Sequence, residues 1–296
     1  MNVNQTRRRL RIGLPKGSLQ ESTVNLFKQA GYRVHVTDRS YYPTIDDQDL
    51  EVVLFRPQEM SRYVEDNVLD AGITGYDWVI ENGSDVHEVC ELTYSKATHQ
   101  PIRWVLAVPE ESPVDSPQKL ANGIIVTELI NTTTKYFADR EIPIRKVEFS
   151  WGATEVKARL VDAIVDNTET GSSLRANNLR IVDTVLTSTT RLIANHDSWN
   201  DSAKREKIES LGMLLRAAID ASQKVGLKMN APRNRVNDVV ALLPAEKSPT
   251  ISELGDKDWV AVEVVVDEKI GRAMIPQLRR AGATGIISYS LKLVVP

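Results

Sequence analysis

Between residues 10 and 195 short apolar runs alternate with amphipathic segments, which restricts this stretch to α/β architectures with largely parallel sheets. Strands are expected at Leu10–Leu14, Leu50–Phe55, Asp70–Thr74, Trp104–Pro109, Ile124–Val126 and Val147–Trp151. Helices fall between them, and Gly31 and Gly83 are placed to stop two of these. Ser18 and Glu21 have capping-box spacing at the start of the first helix. The polar, Pro-containing passage Glu110–Lys119 marks a change of lobe, giving one lobe over 1–108 and 188–224 and a second over 109–187.

Ligands of open α/β sheets gather at the carboxyl ends of the strands, so the loops there carry the functional candidates. The most suggestive runs from Asp162 to Leu174. Ala163, Ile164 and Val165 form a buried strand ending on Asp166, followed by Thr168, Glu169, Thr170, Gly171, Ser172 and Ser173, and Leu174–Leu179 reads as helical. Free amides, hydroxyls and a positive helix end at one point suit a phosphate, and Asp166 could take sugar hydroxyls or a metal. An ordinary βα turn rich in capping residues has the same composition, and spacing alone leaves both readings open. Lys16 beside the first helix could hold a phosphate or sit solvated in a turn. Arg56, Thr74 and Asp77 occupy equivalent loops, with local capping or surface ion pairing as their ordinary roles.

Composition narrows the partners. A net charge of −3 over 296 residues gives no broad case for nucleic acid; Arg7, Arg8 and Arg9 read as a solvated tail, while Arg11 enters the first strand. No apolar stretch is long enough for a signal-peptide core or a membrane span. Cys90 is the only cysteine, so an internal disulfide is impossible and a cytoplasmic protein is expected. His35, His87, His99 and His196 show no metal-ligand spacing.

Asp201–Lys224 reads as one long amphipathic helix. Beyond it, strand, helix, two strands, helix and strand follow over 225–296, the order of a ferredoxin-like α+β domain. It carries no obvious nucleophile or acid–base pair, so binding or assembly suits it better than chemistry.

Several segments together resemble the long form of ATP phosphoribosyltransferase. They are Leu10-Arg-Ile-Gly-Leu-Pro-Lys-Gly17, Leu54-Phe-Arg-Pro57, Asp70-Ala-Gly-Ile-Thr-Gly-Tyr-Asp77, Asp162 through Asn177, and Arg191-Leu-Ile-Ala-Asn195. Ser248-Pro-Thr250, Trp259-Val-Ala-Val and Gly282-Ala-Thr-Gly-Ile286 resemble that family's regulatory, ACT-like domain. The resemblance implies a two-lobed, periplasmic-binding-protein-like catalytic region that forms phosphoribosyl-ATP from ATP and phosphoribosyl pyrophosphate with Mg²⁺. It makes Asp166 and Thr168 to Leu174 the phosphoribosyl pyrophosphate loop, with Asp166 on the ribose hydroxyls and Thr170, Gly171, Ser172 and Ser173 on the 5′-phosphate. It assigns Lys16 and Arg56 to the leaving pyrophosphate and Thr74 and Asp77 to the nucleotide. It further implies histidine as inhibitor, bound near Asn230, Thr250 and Gly285, and a homo-oligomer from dimer to hexamer.

The chain departs from the family pattern in places. Leu129-Ile130-Asn131 stands where bacterial members tend to have Tyr-Pro-Asn, Trp151–Asp162 is shorter, and Glu169 replaces a small residue. Asn230 stands for an Asp, keeping its size but losing the charge that would pair with histidine's amine. A non-catalytic two-lobed binding protein and a salvage-type phosphoribosyltransferase are the competing readings; fold alone does not separate them.

Overall fold

The computed structural model describes residues 9–37, 40–94, 100–244 and 249–295; Arg7, Arg8, His99 and Ser248 lie outside them. The chain divides into two compact units, Met1–Gly212 and Met213–Pro296, and the division falls inside one long helix.

The first unit contains β1 (Leu10–Pro15), α1 (Gln20–Gln29), β2 (Val34–His35), β3 (Thr44–Ile45), β4 (Leu50–Phe55), α2 (Pro57–Glu65), β5 (Ala71–Gly75), α3 (Tyr76–Asn82) and β6 (His87–Leu92). It continues with β7 (Ile102–Pro109), β8 (Ile124–Thr127), α4 (Ile130–Ala138), β9 (Lys146–Phe149), α5 (Thr154–Lys157), β10 (Ala163–Thr168) and α6 (Ser172–Ala176). β11 (Leu179–Ser188), β12 (Thr190–Ala194), α7 (His196–Asn200) and the first part of α8 (Ser202–Ser222) complete it.

Two five-stranded sheets result, ordered β4-β1-β5-β12-β6 and β11-β7-β10-β8-β9. This is the expected two-lobed, periplasmic-binding-protein-like architecture, although neither sheet is purely parallel. β12 runs antiparallel to β5 and β6, and β7 runs antiparallel to β10 and β11. β7 also corrects the lobe boundary. Trp104–Pro109 belongs to the second sheet, so the chain changes lobe between β6 and β7, ahead of Glu110–Lys119. Both faces of β7 are buried: Trp104, Leu106 and Val108 pack with α4, while Val105 and Ala107 pack with Ile164 and Leu174.

Local corrections follow from hydrogen bonding. Helix α1 starts at Gln20 with Leu19 as its cap and no side-chain capping bond, so the Ser18–Glu21 capping box does not form. Thr23 instead donates its hydroxyl to the Leu19 carbonyl at 2.7 Å. Asp162 precedes its strand and accepts the Ile124 N–H at 2.8 Å, tying β10 to β8. The helix expected over Leu174–Leu179 begins two residues earlier and ends at Ala176, because Leu179 already pairs with Pro109 in β11.

The second unit continues α8 into β13 (Lys224–Pro232), α9 (Val236–Val240), β14 (Thr250–Glu253), β15 (Trp259–Asp267), α10 (Glu268–Arg280) and β16 (Thr284–Ser290). The sheet order β14-β15-β13-β16, antiparallel throughout, is the ferredoxin-like arrangement. Val260, Val262, Val264 and Val266 alternate into its core with Leu227, Met229 and Leu278, as period-two patterning requires.

Candidate active site

Within the first unit, the two sheets are tied where α3 meets the second lobe. Asp77 is buried, its carboxyl pushed up by that burial. Trp104 Nε1–H donates to its Oδ2 at 2.7 Å, and Ser188 Oγ–H donates to its Oδ1 at 3.0 Å. Gly75 makes this fold-back possible, since a Cβ there would lie 2.0 Å from Asp77 Oδ1. One turn on, Glu81 accepts the N–H groups of Asn131 and Thr132 at 2.8 and 2.9 Å, and the Thr132 hydroxyl at 2.8 Å. A carboxylate from one lobe thus caps the first turn of α4 in the other, satisfying amides that have no intrahelical partner.

Beside this tie lies a cavity of about 320 Å³. Trp78, Trp104 and Tyr94 supply aromatic surface, and Gln58, Asp77, Glu128, Asn167 and Glu169 supply polar groups. Trp78 and Trp104 meet edge-on, 6.1 Å between centroids. Its described lining contains three carboxylates and no Lys or Arg.

Strand β10 connects this cavity to the hydroxyl-rich loop, and its pleat divides the residues between two faces. Ala163 and Val165 pack on the Trp104 side, whereas Ile164 packs with Leu174 on the other. Asn167 accordingly lines the cavity, together with Glu169 one step further along. Asp166 lies near Glu155 on the opposite face; burial first, then the charges of Glu155 and Glu128, push its carboxyl up to about 7. Asn167 N–H donates to Asp166 Oδ1 at 2.7 Å.

The loop hydroxyls divide similarly. Thr168 is buried and its Oγ1 accepts the Gly171 N–H at 2.7 Å, holding the turn in shape. Thr170 and Ser172 are exposed and bonded to each other at 3.0 Å, and Ser173 donates to Glu155 Oε1 at 2.5 Å. Gly171 adopts φ +74°, a left-handed conformation that leads directly into α6. The Leu174 side chain is buried in the core, so only its backbone could meet a ligand.

Lys16 and Arg56 gather around Tyr41. Lys16 Nζ lies 3.5 Å from the Tyr41 ring centroid, and hydrogen bonding and charge from Lys16, with a smaller contribution from Arg56, lower the phenol pKa. Thr74 is a correction: it is fully buried and its hydroxyl donates to the Pro57 carbonyl at 2.8 Å, which fixes α2 to β5 and leaves no hydroxyl proton for a nucleotide. In the Leu129–Asn131 segment, where the chain departs from the family pattern, Leu129 is a core residue and Asn131 bonds Glu81. Asn195, in one of the family-like runs, caps α7 by accepting the Ser198 N–H at 2.6 Å.

Sequence reading missed Glu128, Glu155, Asn167, Trp78, Trp104 and Tyr41. Asn167 could have been found from the two-residue strand period; the others become neighbours only through the tertiary fold. Among the described residues no group of three or more His, Cys, Asp or Glu is placed to hold a metal ion, and no helix is long and apolar enough to cross a membrane.

In the second unit Asn230 lies on β13, with its Nδ2 3.8 Å from where a Cβ on Gly285 would be. Thr250 lies on β14 opposite Glu263, with β15 between it and β13. Asn230 and Gly285 are therefore neighbours, and Thr250 is set apart from them by a strand.

Residues 56–217 match the family model described as ATP phosphoribosyltransferase, and residues 221–292 match that described as HisG, C-terminal domain. The ATP phosphoribosyltransferase of Chlorobaculum parvum is 56% identical over 287 residues, 97% of each chain. That of Pelotomaculum thermopropionicum is 54% identical over 289 residues, 97% of this chain and 100% of the relative. A solved ATP phosphoribosyl transferase (HisG:HisZ) complex from Thermotoga maritima superposes with a TM-score of 0.60 at 27% identity, covering 71% of this chain and 98% of that one.

Proposed function

The chain belongs to the ATP phosphoribosyltransferase family and transfers the 5-phosphoribosyl group of phosphoribosyl pyrophosphate to N1 of ATP, the first step of histidine biosynthesis; from that premise we propose that the Asp166–Leu174 loop holds the ribose 5-phosphate. The observation that carries the assignment is the left-handed Gly171 between exposed Thr170 and Ser172, which delivers hydroxyls and first-turn amides to one point. Asp166 addresses the ribose hydroxyls. Glu169 and Asn167, on the cavity side, face the purine, which lies against Trp78 and Trp104.

Mg²⁺ fits this donor set as a shared ligand. Burial and the neighbouring Glu155 charge raise the cost of ionising Asp166, and a hard dication beside Asp166 relieves that cost. With no complete protein cage among the described residues, substrate phosphates and water would supply the remaining oxygens. When bound, Mg²⁺ supplies charge neutralisation on the departing pyrophosphate. Lys16 and Arg56 add cationic charge to the same leaving group, and the aromatic cleft orients N1 for attack. Replacing Lys16 or Arg56 by Ala is expected to lower kcat by about 100-fold while the Kd for ATP changes little. Equal losses in kcat and ATP affinity would assign these residues to nucleotide binding instead.

Histidine inhibition through the second unit belongs to the same proposal, with Asn230 and Gly285 as the neighbouring pair that would receive it. Histidine titrations of wild-type and Asn230→Asp enzyme should show inhibition at lower histidine in the variant, by about fivefold or more, because a carboxylate restores a partner for the ligand's amine. Two indistinguishable curves would remove Asn230 from the pocket. A homo-oligomer, from dimer to hexamer, is proposed alongside it, and sedimentation velocity of the full chain reads that state directly.

A further inference from the structure

Glu128 has no role in the assignments above, yet its position is unusual. It follows β8, lines the aromatic cavity, and accepts the Gly152 N–H on Oε1 at 3.1 Å. No ion pair to a Lys, Arg or His holds it among the described residues. Among the described residues, the lining it shares with Asp77, Trp78 and Trp104 carries carboxyl groups and π surface and no Lys or Arg. Such a cavity repels a triphosphate and accepts a flat ring that is neutral or becoming positive.

The established reaction generates such a ring. The N1 lone pair of adenine forms the bond to C1 of the ribose while the C1–oxygen bond to pyrophosphate breaks, its electron pair leaving with the pyrophosphate. The purine thereby gains one positive charge, shared across N1, C6 and the exocyclic N6 amine, and no proton need leave in that step. We propose that the Glu128 carboxylate receives the N6 amine of ATP and acts as a catalytic residue by stabilising the positive charge that develops on the purine. The inference rests on the purine occupying the Trp78–Trp104 cavity.

Two neighbours support the assignment. Gln58 shares the cavity lining with Glu128. The Gln58 Oε1 is buried without a partner among the described residues, an unsatisfied acceptor in the cavity wall that the second N6 proton would satisfy. Burial and the nearby Asp77 raise the Glu128 carboxyl, so a cation in the cavity relieves an existing cost and binds more strongly than a neutral ring of the same shape.

The test uses N1-methyl-ATP, whose purine carries the positive charge at N1 that the reaction creates. Wild-type enzyme should bind it about tenfold or more tighter than ATP. In Glu128→Gln, which keeps size and an acceptor oxygen, that preference should fall to about one, with single-turnover chemistry slowed about tenfold or more and ATP affinity nearly unchanged. A preference absent from wild type, or retained in Glu128→Gln, overturns the proposal; the wild-type comparison decides even where the variant fails to fold. Tryptophan fluorescence separates this from failure of the underlying reading. ATP should quench it, and Trp78→Phe should diminish the quench. A quench unaffected by that substitution puts the purine elsewhere and overturns both.

Discussion

Ligand-free Asp166→Asn protein is expected to be more stable than wild type at pH 8, by about 4 kcal/mol, while binding phosphoribosyl pyrophosphate with Mg²⁺ at least about tenfold more weakly. The stability gain follows from the raised carboxyl. Asp166 titrates at about 7 in the folded chain against an ordinary value of 3.8, because burial, Glu155 and Glu128 all oppose its ionisation. Between those two values the folded state holds a proton that the unfolded state has released. Wild-type stability therefore falls as pH rises from about 4 to about 7 and is flat above. Asn carries no charge at any pH, so its advantage vanishes near pH 4 and is complete by pH 8. Thermal melts across that range read the difference directly. The loss of affinity has the same origin, since the electrostatic tension that costs stability is what a cationic metal–substrate complex relieves. Wild-type binding should accordingly tighten as pH rises toward 7, and the variant should lose that dependence. A variant less stable at pH 8, with unchanged substrate affinity, would mean that Asp166 is a structural group.

Such coupling between stability and binding was only partly legible in the sequence. Asp166 could be singled out because a strand of Ala163, Ile164 and Val165 ending on an acid and a run of hydroxyls is a local pattern. Glu155 and Glu128 could not, because an acid in a polar loop looks solvated until the sheet places it beside another. The fold divides along the same line. The strand–helix alternation and the valine ladder of β15 are local and were readable. The sheet to which β7 belongs was not: Trp104–Pro109 is an apolar run suited to either lobe, and its membership is decided by pairing Trp104 with Asn167 and Leu186, far along the chain. Thr74 and Asp77 show a further limit. Both are polar residues of strand-end loops, where a ligand-facing side chain is expected: Asp77 lines the cavity while bonded to Trp104 and Ser188, whereas Thr74 is spent on the Pro57 carbonyl.

The second large effect concerns Gly171. Its φ of +74° is costly for any residue with a Cβ, by about 1–2 kcal/mol, and more for a β-branched one. A Cβ there would also sit 2.8 Å from Arg175 Nη1, although that flexible side chain can move aside. The backbone is therefore what resists: in Gly171→Val the turn must leave the left-handed region, and the Thr168–Gly171 bond and the aim of the first α6 amides go with it. The aromatic cavity is built by Trp78, Trp104 and Tyr94 on other elements and keeps its shape. The consequences should thus fall on one substrate.

The decisive measurement is the pair of dissociation constants for phosphoribosyl pyrophosphate and ATP, determined separately on wild-type and Gly171→Val protein. The loop assignment predicts that phosphoribosyl pyrophosphate weakens by about 30-fold or more while ATP stays within about twofold. Equal losses for the two ligands, or a loss confined to ATP, would contradict it.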